Sequence, residues 1–325
     1  MQLYTIKSDK LCHKSLQHLS SDGINERNQL FPIIDISHIA DPSQRLTIVE
    51  KITAATAEWG FKGYPLPTAE IDEMLRRSHE FFSLDEGEKE LRPLDIDTNL
   101  GYIGSLKDRK KHDKMSILLG GPSGALIKEK GHLPPYWGEH LARVEDFKCR
   151  CHKLVLQLLE CFALVLKLSE PDFFAKAHNP SLGKGNSLRM LIYPARGEQL
   201  ARSTRMRPHT DSGSATLQFE QKPSLEVLSP ENEWVPAPCL QHTVLVNIGD
   251  TLAFWSGSQL KATKLRVTFD GLPHDKERES IVDFCTASQD TVLEPDVAVS
   301  GAKIEKFGYN GVEIEPGITA GRCGI

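Results

Sequence analysis

Between about residue 186 and residue 286 the chain consists of short apolar stretches separated by turn residues, and this pattern restricts the fold more than any other feature of the sequence. Short stretches rich in β-branched and aromatic residues, bounded by Gly, Pro, Asn and Asp, are typical of strands. The predicted strands are 188–193, 215–219, 225–228, 244–248, 251–255, 265–269 and 280–286, with a tight turn at Gly249-Asp250. Many short strands at this spacing predict a jelly-roll barrel.

Residues 31–175 carry mainly helical signals. A short apolar strand is predicted at 31–37, followed by a helix that begins after Asp41-Pro42 and ends before Gly60. A second helix is predicted from Thr68, and a third over 147–168, where apolar residues recur every three or four positions. The third helix has a broad apolar face, which we expect to pack against the outside of the sheet.

The predicted fold class is therefore mixed α/β, with an all-β core, a helical buttress and a jelly-roll (double-stranded β-helix) barrel. We expect an N-terminal extension (1–30), a mainly helical N-terminal part of the same catalytic unit (31–175), the jelly-roll core (176–300) and a C-terminal tail (301–325). Segment 99–137 contains glycines and aromatics that suit a loop over the pocket, although an ordinary packed connection fits it equally well.

Composition limits the kinds of partner. With 39% hydrophobic and 26% charged residues the chain resembles a soluble globular protein, and its net charge of −5 argues against nucleic acid. No apolar run reaches the roughly 18–20 residues of a membrane span, and the polar N-terminus does not resemble a signal peptide. The seven cysteines are scattered rather than arranged as a disulfide framework. We expect a cytoplasmic protein that acts on a small-molecule substrate, with an oligomeric state that the sequence does not indicate.

The stretch Met206-Arg-Pro-His-Thr-Asp-Ser-Gly213 contains the strongest chemical signal. His209 and Asp211, placed at the end of a strand, can supply two of the three ligands of a 2-His-1-carboxylate iron site. In such a site three protein ligands leave positions open for a cosubstrate and O₂. A His-x-Asp pair alone is common by chance, so its meaning depends on the rest of the sequence.

Several further segments supply this context. In chain order they are Phe31-Pro-Ile-Ile-Asp-Ile-Ser37, Trp59-Gly-Phe-Lys-Gly-Tyr-Pro-Leu-Pro67, Phe81-Phe-Ser-Leu-Asp-Glu-Gly-Glu-Lys89, Leu188-Arg-Met-Leu-Ile-Tyr-Pro194, Arg207-Pro-His-Thr-Asp211, Val246-Asn-Ile-Gly-Asp250 and Arg278-Glu-Ser280. With these segments in this order, the chain resembles the isopenicillin N synthase-like branch of the Fe(II)/2-oxoglutarate-dependent dioxygenases from about residue 31 to about residue 295.

The resemblance implies roles for individual residues. Fe(II) would be bound by His209 and Asp211, and Arg278 and Ser280 would hold the distal carboxylate of 2-oxoglutarate, for which the planar guanidinium is well suited. Tyr193 would also touch this cosubstrate. The plain alternatives are a packed core aromatic for Tyr193 and a surface ion pair with a neighbouring glutamate, Glu277 or Glu279, for Arg278.

The chain departs from the family pattern at the distal metal ligand. The segment that resembles the family's Ser-Thr-x-His-Arg-Val reads Ala262-Thr-Lys-Leu-Arg-Val267, so Leu265 stands where the second histidine belongs. Leu265 follows Asp211 by 54 residues and precedes Arg278 by 13. His274, in a predicted turn, is the nearest histidine in sequence and a candidate substitute ligand.

Three hypotheses remain open. The first is an oxidoreductase that hydroxylates, desaturates or rearranges a small molecule, of the secondary-metabolite type that the family implies, at an atypical two-ligand iron site. The second is a metal-independent, redox-neutral enzyme (an isomerase, dehydratase or pericyclic cyclase) in which a dry pocket folds the substrate. The third is a non-catalytic protein that binds 2-oxoglutarate or another small acid.

Overall fold

The computed structural model describes residues 31–56, 61–63, 66–104, 114–179, 186–195, 204–269, 276–294 and 317–323. Its α-helices are α1 (Pro42–Thr56), α2 (Thr68–Phe82), α3 (Glu86–Lys89), α4 (Ala125–Lys128), α5 (Leu141–Val165), α6 (Asp250–Trp255) and α7 (Ala320–Cys323). Short 3₁₀ helices cover Lys130–His132, Pro135–Glu139 and Ala175–Ala177.

The strands form three antiparallel sheets. They are β1 (Phe61–Gly63), β2 (Leu100–Ile103), β3 (Met115–Leu119), β4 (Ser187–Tyr193), β5 (Thr204–His209), β6 (Ala215–Glu220), β7 (Leu225–Leu228), β8 (Trp234–Pro236), β9 (Val244–Ile248), β10 (Leu265–Thr268), β11 (Arg278–Cys285), β12 (Val292–Leu293) and β13 (Ile318–Thr319). The large sheet has the order β1-β9-β6-β11-β4-β3-β2, the small sheet β5-β10-β7-β8, and β12 pairs with β13.

The two faces of the large sheet differ in chemistry because side chains alternate along each strand. One face is apolar and belongs to the main core, together with residues of α1, α2 and α5. Its members include Ile117, Leu119, Met190, Ile192, Leu217, Phe219, Val246 and Ile281. The opposite face carries several buried polar side chains, namely Thr216, Gln218 and Glu220 of β6, Asn247 of β9 and Arg278 and Ser280 of β11. The helices therefore cover one side of the sheet, and the other side is left to form a polar site.

A second, smaller core joins the polar side of the large sheet to the small sheet. It combines Tyr193 and Leu245 of the large sheet with residues of the small sheet and its flanks, namely Leu225, Val227, Leu265, Val267 and Phe269. The two sheets thus face each other as the two halves of a barrel, and the functional residues described below lie between them.

Most of the predicted strands are confirmed, but the prediction for 251–255 is wrong because these residues form helix α6. Thr, Phe and Trp favour a strand locally. The predicted strand 31–37 is also wrong, since this segment forms only an isolated bridge at residue 33. Within 31–175, strands β2 and β3 extend the large sheet, so segment 99–137 is in part a packed connection rather than only a loop.

The predicted helices are present with shifted ends. The first ends at Thr56, and its predicted end before Gly60 lies outside the described residues. The third begins at Leu141 and ends at Val165. Among the described residues, Cys149, Cys151, Cys161 and Cys285 are free thiols. None of the helices in the described ranges combines the length and apolar character that a bilayer span requires.

Candidate active site

The two predicted metal ligands lie at the end of β5, opposite Leu265 on β10. His209 is the last residue of β5, and its Cα pairs with that of Leu265 in the antiparallel ladder. Residues paired in this way project to the same face of a sheet, so the Leu265 side chain lies beside the imidazole. Leu265 is only 5% exposed and packs in the smaller core. An apolar side chain therefore stands next to the two ligands, where a third donor would be needed.

Hydrogen bonds orient both ligand side chains. His209 Nδ1 lies 2.9 Å from the carbonyl oxygen of Arg207, which can only accept, so Nδ1 carries the proton and the lone pair is on Nε2. Asp211 Oδ2 accepts a 3.0 Å hydrogen bond from Asn247 Nδ2. The remaining donor atoms, His209 Nε2 and Asp211 Oδ1, are 3.7 Å apart. One ion can bind both atoms, because two bonds of about 2.1 Å span this distance.

Helix α6 fixes the loop that carries Asp211. The first N–H groups of a helix have no partner inside the helix and need other acceptors. Here the Asp250 N–H donates to the Asp211 carbonyl oxygen at 2.7 Å, and the Thr251 N–H donates to the Ser212 carbonyl oxygen at 3.2 Å. The Thr251 hydroxyl donates to the same Ser212 oxygen at 2.6 Å. The helical conformation of α6, which the sequence did not predict, therefore holds the carboxylate ligand in place.

Arg278, the predicted cosubstrate ligand, is buried and already paired. Its Nη2 donates to Glu220 Oε2 at 2.8 Å, and each of these two side chains is only 1% exposed. Nη1 donates to Ser280 Oγ at 3.3 Å. Tyr193 is also buried, and its ring centroid lies 5.5 Å from the Arg278 guanidinium carbon. The predicted Arg-x-Ser pair and Tyr193 are thus brought together, with Glu220 as an additional member.

Lys114 is the residue before β3, and its ammonium group lies in the same region. Its Nζ lies 3.7 Å from Met206 Sδ. The Tyr193 hydroxyl donates to the same sulfur at 3.5 Å, so Lys114 lies in the region of Tyr193 and Arg278. Burial, assisted by the positive charges of Arg189 and Arg278, lowers the pKa of Lys114 to about 8, while Asp211 opposes the shift. Among the described residues, no carboxylate lies within ion-pair distance of this ammonium group.

Three polar members of the site were missed by the sequence prediction, namely Asn247, Glu220 and Lys114. A signal was present in β6, where polar Thr216, Gln218 and Glu220 alternate with the apolar residues of the core-facing side. Such alternation indicates one polar face, but which polar residues meet across the barrel depends on strand register, which only the structure provides.

The plain alternative for Arg278, a surface ion pair with Glu277 or Glu279, is wrong because Arg278 is buried on Glu220. Those two glutamates instead lie near His79, with His79 Nδ1 at 2.7 Å from Glu279 Oε1 and 3.6 Å from Glu277 Oε1. Within the described ranges, this outer cluster is the group of three side chains whose spacing would suit a metal ion. It lies on the opposite side of β11 from Arg278.

The resemblance implies Fe(II) and 2-oxoglutarate as cofactors, and the described residues fit these two groups only in part. His209 and Asp211 can fill two metal positions, and Leu265 offers no donor atom. The predicted substitute, His274, lies outside the described residues. The Arg278 guanidinium keeps one buried N–H, at Nε, that has no hydrogen-bond partner among the described residues, and such a donor suits an incoming anion. The positive charge of Arg278, however, is already balanced by Glu220.

Comparison with known proteins agrees with this fold. Residues 185–287 match the model of the 2OG-Fe(II) oxygenase superfamily, and residues 31–120 match that of the non-haem dioxygenase in morphine synthesis N-terminal region. A UPF0676 protein of Schizosaccharomyces pombe is 30% identical over 284 residues, covering 81% of this chain and 84% of its own. The 2-oxoglutarate-dependent dioxygenase tropC of Talaromyces stipitatus is 24% identical, covering 82% and 90%.

Among solved structures, a full-length Neurospora crassa protein in complex with alpha-KG superimposes with a TM-score of 0.73 at 24% identity, covering 92% of this chain and 96% of that one. The family models, the relatives and the shared fold lead to one assignment. The chain belongs to the 2-oxoglutarate- and Fe(II)-dependent oxygenase superfamily and is a 2-oxoglutarate-dependent dioxygenase-like enzyme.

Proposed function

We propose that this chain oxidises a small molecule at an iron that only two of its side chains, His209 and Asp211, hold. The observation that carries this proposal is the 3.7 Å separation of His209 Nε2 and Asp211 Oδ1 between the two sheets of the family fold. When bound, Fe(II) and 2-oxoglutarate would activate O₂, which is the oxidant needed to attack an unactivated C–H bond. The keto acid is itself a chelator, so it compensates in part for the protein ligand that is missing.

The remaining residues prepare the site for this chemistry. The Arg207 carbonyl fixes the His209 tautomer, and Asn247 occupies one oxygen of Asp211, so that each ligand presents a defined atom to the metal. Such partners of metal ligands set the orientation and basicity of the ligands. Leu265 keeps water away from one side of the pair, and a dry site strengthens electrostatic interactions within it.

A biosynthetic substrate of the secondary-metabolite type is the proposed substrate class. This part of the proposal rests on the family and on related fungal enzymes such as tropC, which is a 2-oxoglutarate-dependent dioxygenase. Hydroxylation, desaturation and ring rearrangement are the reactions that such a site would perform.

The experiment that tests the proposal follows the absorption band formed when 2-oxoglutarate chelates protein-bound Fe(II) under anaerobic conditions. We expect a saturable band for the wild type and its loss in His209→Ala and Asp211→Ala. His242→Ala is a matched control, because His242 forms a histidine–carboxylate pair with Asp72 at 3.2 Å outside this site. Absence of both the band and bound iron in the wild type would contradict the oxygenase proposal.

A redox-neutral enzyme on the same fold is the second candidate. It is favoured by two observations, the apolar Leu265 beside the ligands and the neutralisation of Arg278 by Glu220. In that case the pocket would hold a reactive substrate in a productive conformation, with His209, Asp211 and Lys114 as acid–base groups. Turnover that continues in the presence of a strong chelator would support this candidate over the oxygenase.

A further inference from the structure

The buried ion pair between Arg278 and Glu220 changes what Arg278 can bind. A guanidinium attracts the carboxylate of a ligand most strongly when its charge is not balanced by the protein. Here Glu220 Oε2 lies 2.8 Å from Arg278 Nη2, and neither side chain is accessible to solvent. Glu220 and Ser280 are paired in the ladder between β6 and β11, so the glutamate is fixed next to the Arg-x-Ser pair by strand register. A ligand carboxylate at Arg278 would therefore meet the negative charge of Glu220.

Lys114 is the neighbouring positive charge that has no carboxylate of its own among the described residues. It is half-buried, and its ammonium group contacts the weakly accepting sulfur of Met206 at 3.7 Å. The Tyr193 hydroxyl donates to the same sulfur at 3.5 Å, and the Tyr193 ring lies 5.5 Å from the Arg278 guanidinium carbon, so Lys114 lies near the arginine. Arg278 and Asp211 also influence the charge of Lys114. A cation removed from water without a counter-ion is costly, and the arrival of an anion relieves this cost.

We propose that Lys114 binds the distal carboxylate of the small organic acid at this site, which is the role that the family pattern gives to Arg278. The inference rests on the proposed function in taking 2-oxoglutarate as that acid. Arg278 remains paired with Glu220, and its unpaired Nε supplies a hydrogen bond rather than a net charge.

The pKa of Lys114 supports this role, because a value of about 8 leaves the amine mostly protonated near pH 7. The charged groups that act on it are Arg189 on β4 and Arg278 on β11, which lower its pKa, and Asp211 after β5, which raises it. A ligand carboxylate would balance the charge of Lys114 itself.

Glutarate is the probe for this proposal. It has two carboxylates at the spacing of 2-oxoglutarate but lacks the keto group that chelates metal. Its binding therefore reports only the affinity of the protein for the two carboxylates. Titration calorimetry on the full chain with a chelator present compares the wild type with Lys114→Met, Lys114→Arg and Lys128→Met. Methionine keeps the length and apolar stem of Lys114, and Lys128 is an exposed lysine at the end of α4.

We expect Lys114→Met to weaken glutarate binding at least about tenfold, the usual scale for one charge-assisted hydrogen bond. Lys114→Arg should retain most of the affinity because it keeps the charge, and Lys128→Met should match the wild type. In the double variant Lys114→Met/Glu220→Gln, removal of the glutamate charge should release Arg278 and restore glutarate binding.

Two results would overturn the proposal. One is wild-type affinity for glutarate in Lys114→Met, and the other is the absence of glutarate binding by the wild type. Failure of the proposed function is recognised separately. If glutarate binds through Lys114 but no Fe(II)–2-oxoglutarate band forms, the acid site stands and the oxygenase does not.

Discussion

At the scale of single residues, Leu265 decides how many protein ligands a metal can have. It occupies the ladder position opposite His209 and is packed with Val227 and other residues of the smaller core. A leucine at this position stabilises the metal-free barrel through apolar burial, whereas a histidine would place a polar ring there. Metal affinity and stability of the metal-free protein are therefore in opposition at position 265.

Leu265→His should shift this balance. We expect the free energy of unfolding of the metal-free protein to fall by about 2 kcal/mol, because apolar burial is lost and an imidazole is enclosed. Added Mn(II) should then raise the melting temperature more than in the wild type, because a third ligand tightens binding to the folded state. Val267→His is the matched control on the same strand and in the same core, where a histidine is not paired with His209.

The charge of Lys114 gives a pH dependence to acid binding. Its pKa of about 8 is below the ordinary value, so the ammonium is lost as the pH rises through 8. We expect the affinity for glutarate to be nearly constant between pH 6 and pH 7 and to fall by about tenfold per pH unit once the pH is well above 8. The same titration on Lys114→Arg should be flat over this range, and a wild-type profile without a decline would contradict the assignment.

The candidate ligands could be named from the sequence, but the residues that contact them could not. His209 and Asp211 form a recognisable local pattern, and the prediction that Leu265 stands in place of a histidine ligand rests on its spacing to Arg278. Glu220 precedes Arg278 by 58 residues, and the two meet only because β6 and β11 pair in one particular register. Nothing in the local sequence fixes that register.

At the scale of elements, the contact between α6 and the loop that carries Asp211 depends on Gly249. A Cβ atom at Gly249 would lie 2.1 Å from the carbonyl oxygen of Gly213, which is backbone and cannot move independently. The close approach brings the first N–H groups of α6 to the carbonyls of residues 211 and 212. The position of the Asp211 side chain therefore depends on Gly249, a residue that does not touch the metal position.

Gly249→Ala should consequently impair metal binding as well as stability. We expect a loss of about 2 kcal/mol or more in the free energy of unfolding, as for other substitutions that overpack a close contact, together with weaker Mn(II) binding. Gly87→Ala is the control, because a Cβ at Gly87 in α3 meets nothing within 4 Å. Unchanged Mn(II) affinity in a folded Gly249→Ala protein would show that α6 does not position Asp211.

The elements themselves were predicted unevenly. Strands with a regular apolar pattern, such as β4 and β9, appear within a residue of their predicted bounds. Helix α6 was mistaken for a strand because residues 251–255 have strand-favouring composition, and its helical state depends on acceptors supplied by a loop about 40 residues earlier. Strands β2 and β3 were missed because they lie among helical signals and glycine-rich connections.

At the scale of the whole molecule, the large sheet separates an apolar helical layer from the polar barrel interior. A buried carboxyl group lies on the helical side, where Asp283 of β11 is fully buried and accepts a 3.0 Å hydrogen bond from Asn186. Burial raises the pKa of Asp283 to about 6, and the positive charge of Lys148 partly opposes this shift. The fold class predicted from the strand pattern is confirmed, whereas this buried carboxylate has no counterpart in the sequence prediction.

Asp283 should make stability depend on pH. Because the pKa of a carboxyl group is higher in the folded state, its contribution favours folding at low pH and is lost as the pH rises through about 6. We expect Asp283→Asn to raise the free energy of unfolding at pH 7 by about 2 kcal/mol, and by less at pH 5. Asp290→Asn, at an exposed position, should have no such effect, and destabilisation of Asp283→Asn at pH 7 would show that attraction to Lys148 outweighs the cost of burial.

The central claim is that one histidine and one aspartate of this chain hold the metal. Electron spin echo modulation of the vanadyl-substituted protein measures it directly, because each coordinated imidazole nitrogen modulates the signal. We expect the signal of one imidazole in the wild type, none in His209→Ala and two in Leu265→His. Two imidazoles in the wild type would contradict the claim, because a histidine from elsewhere in the chain would then complete the triad.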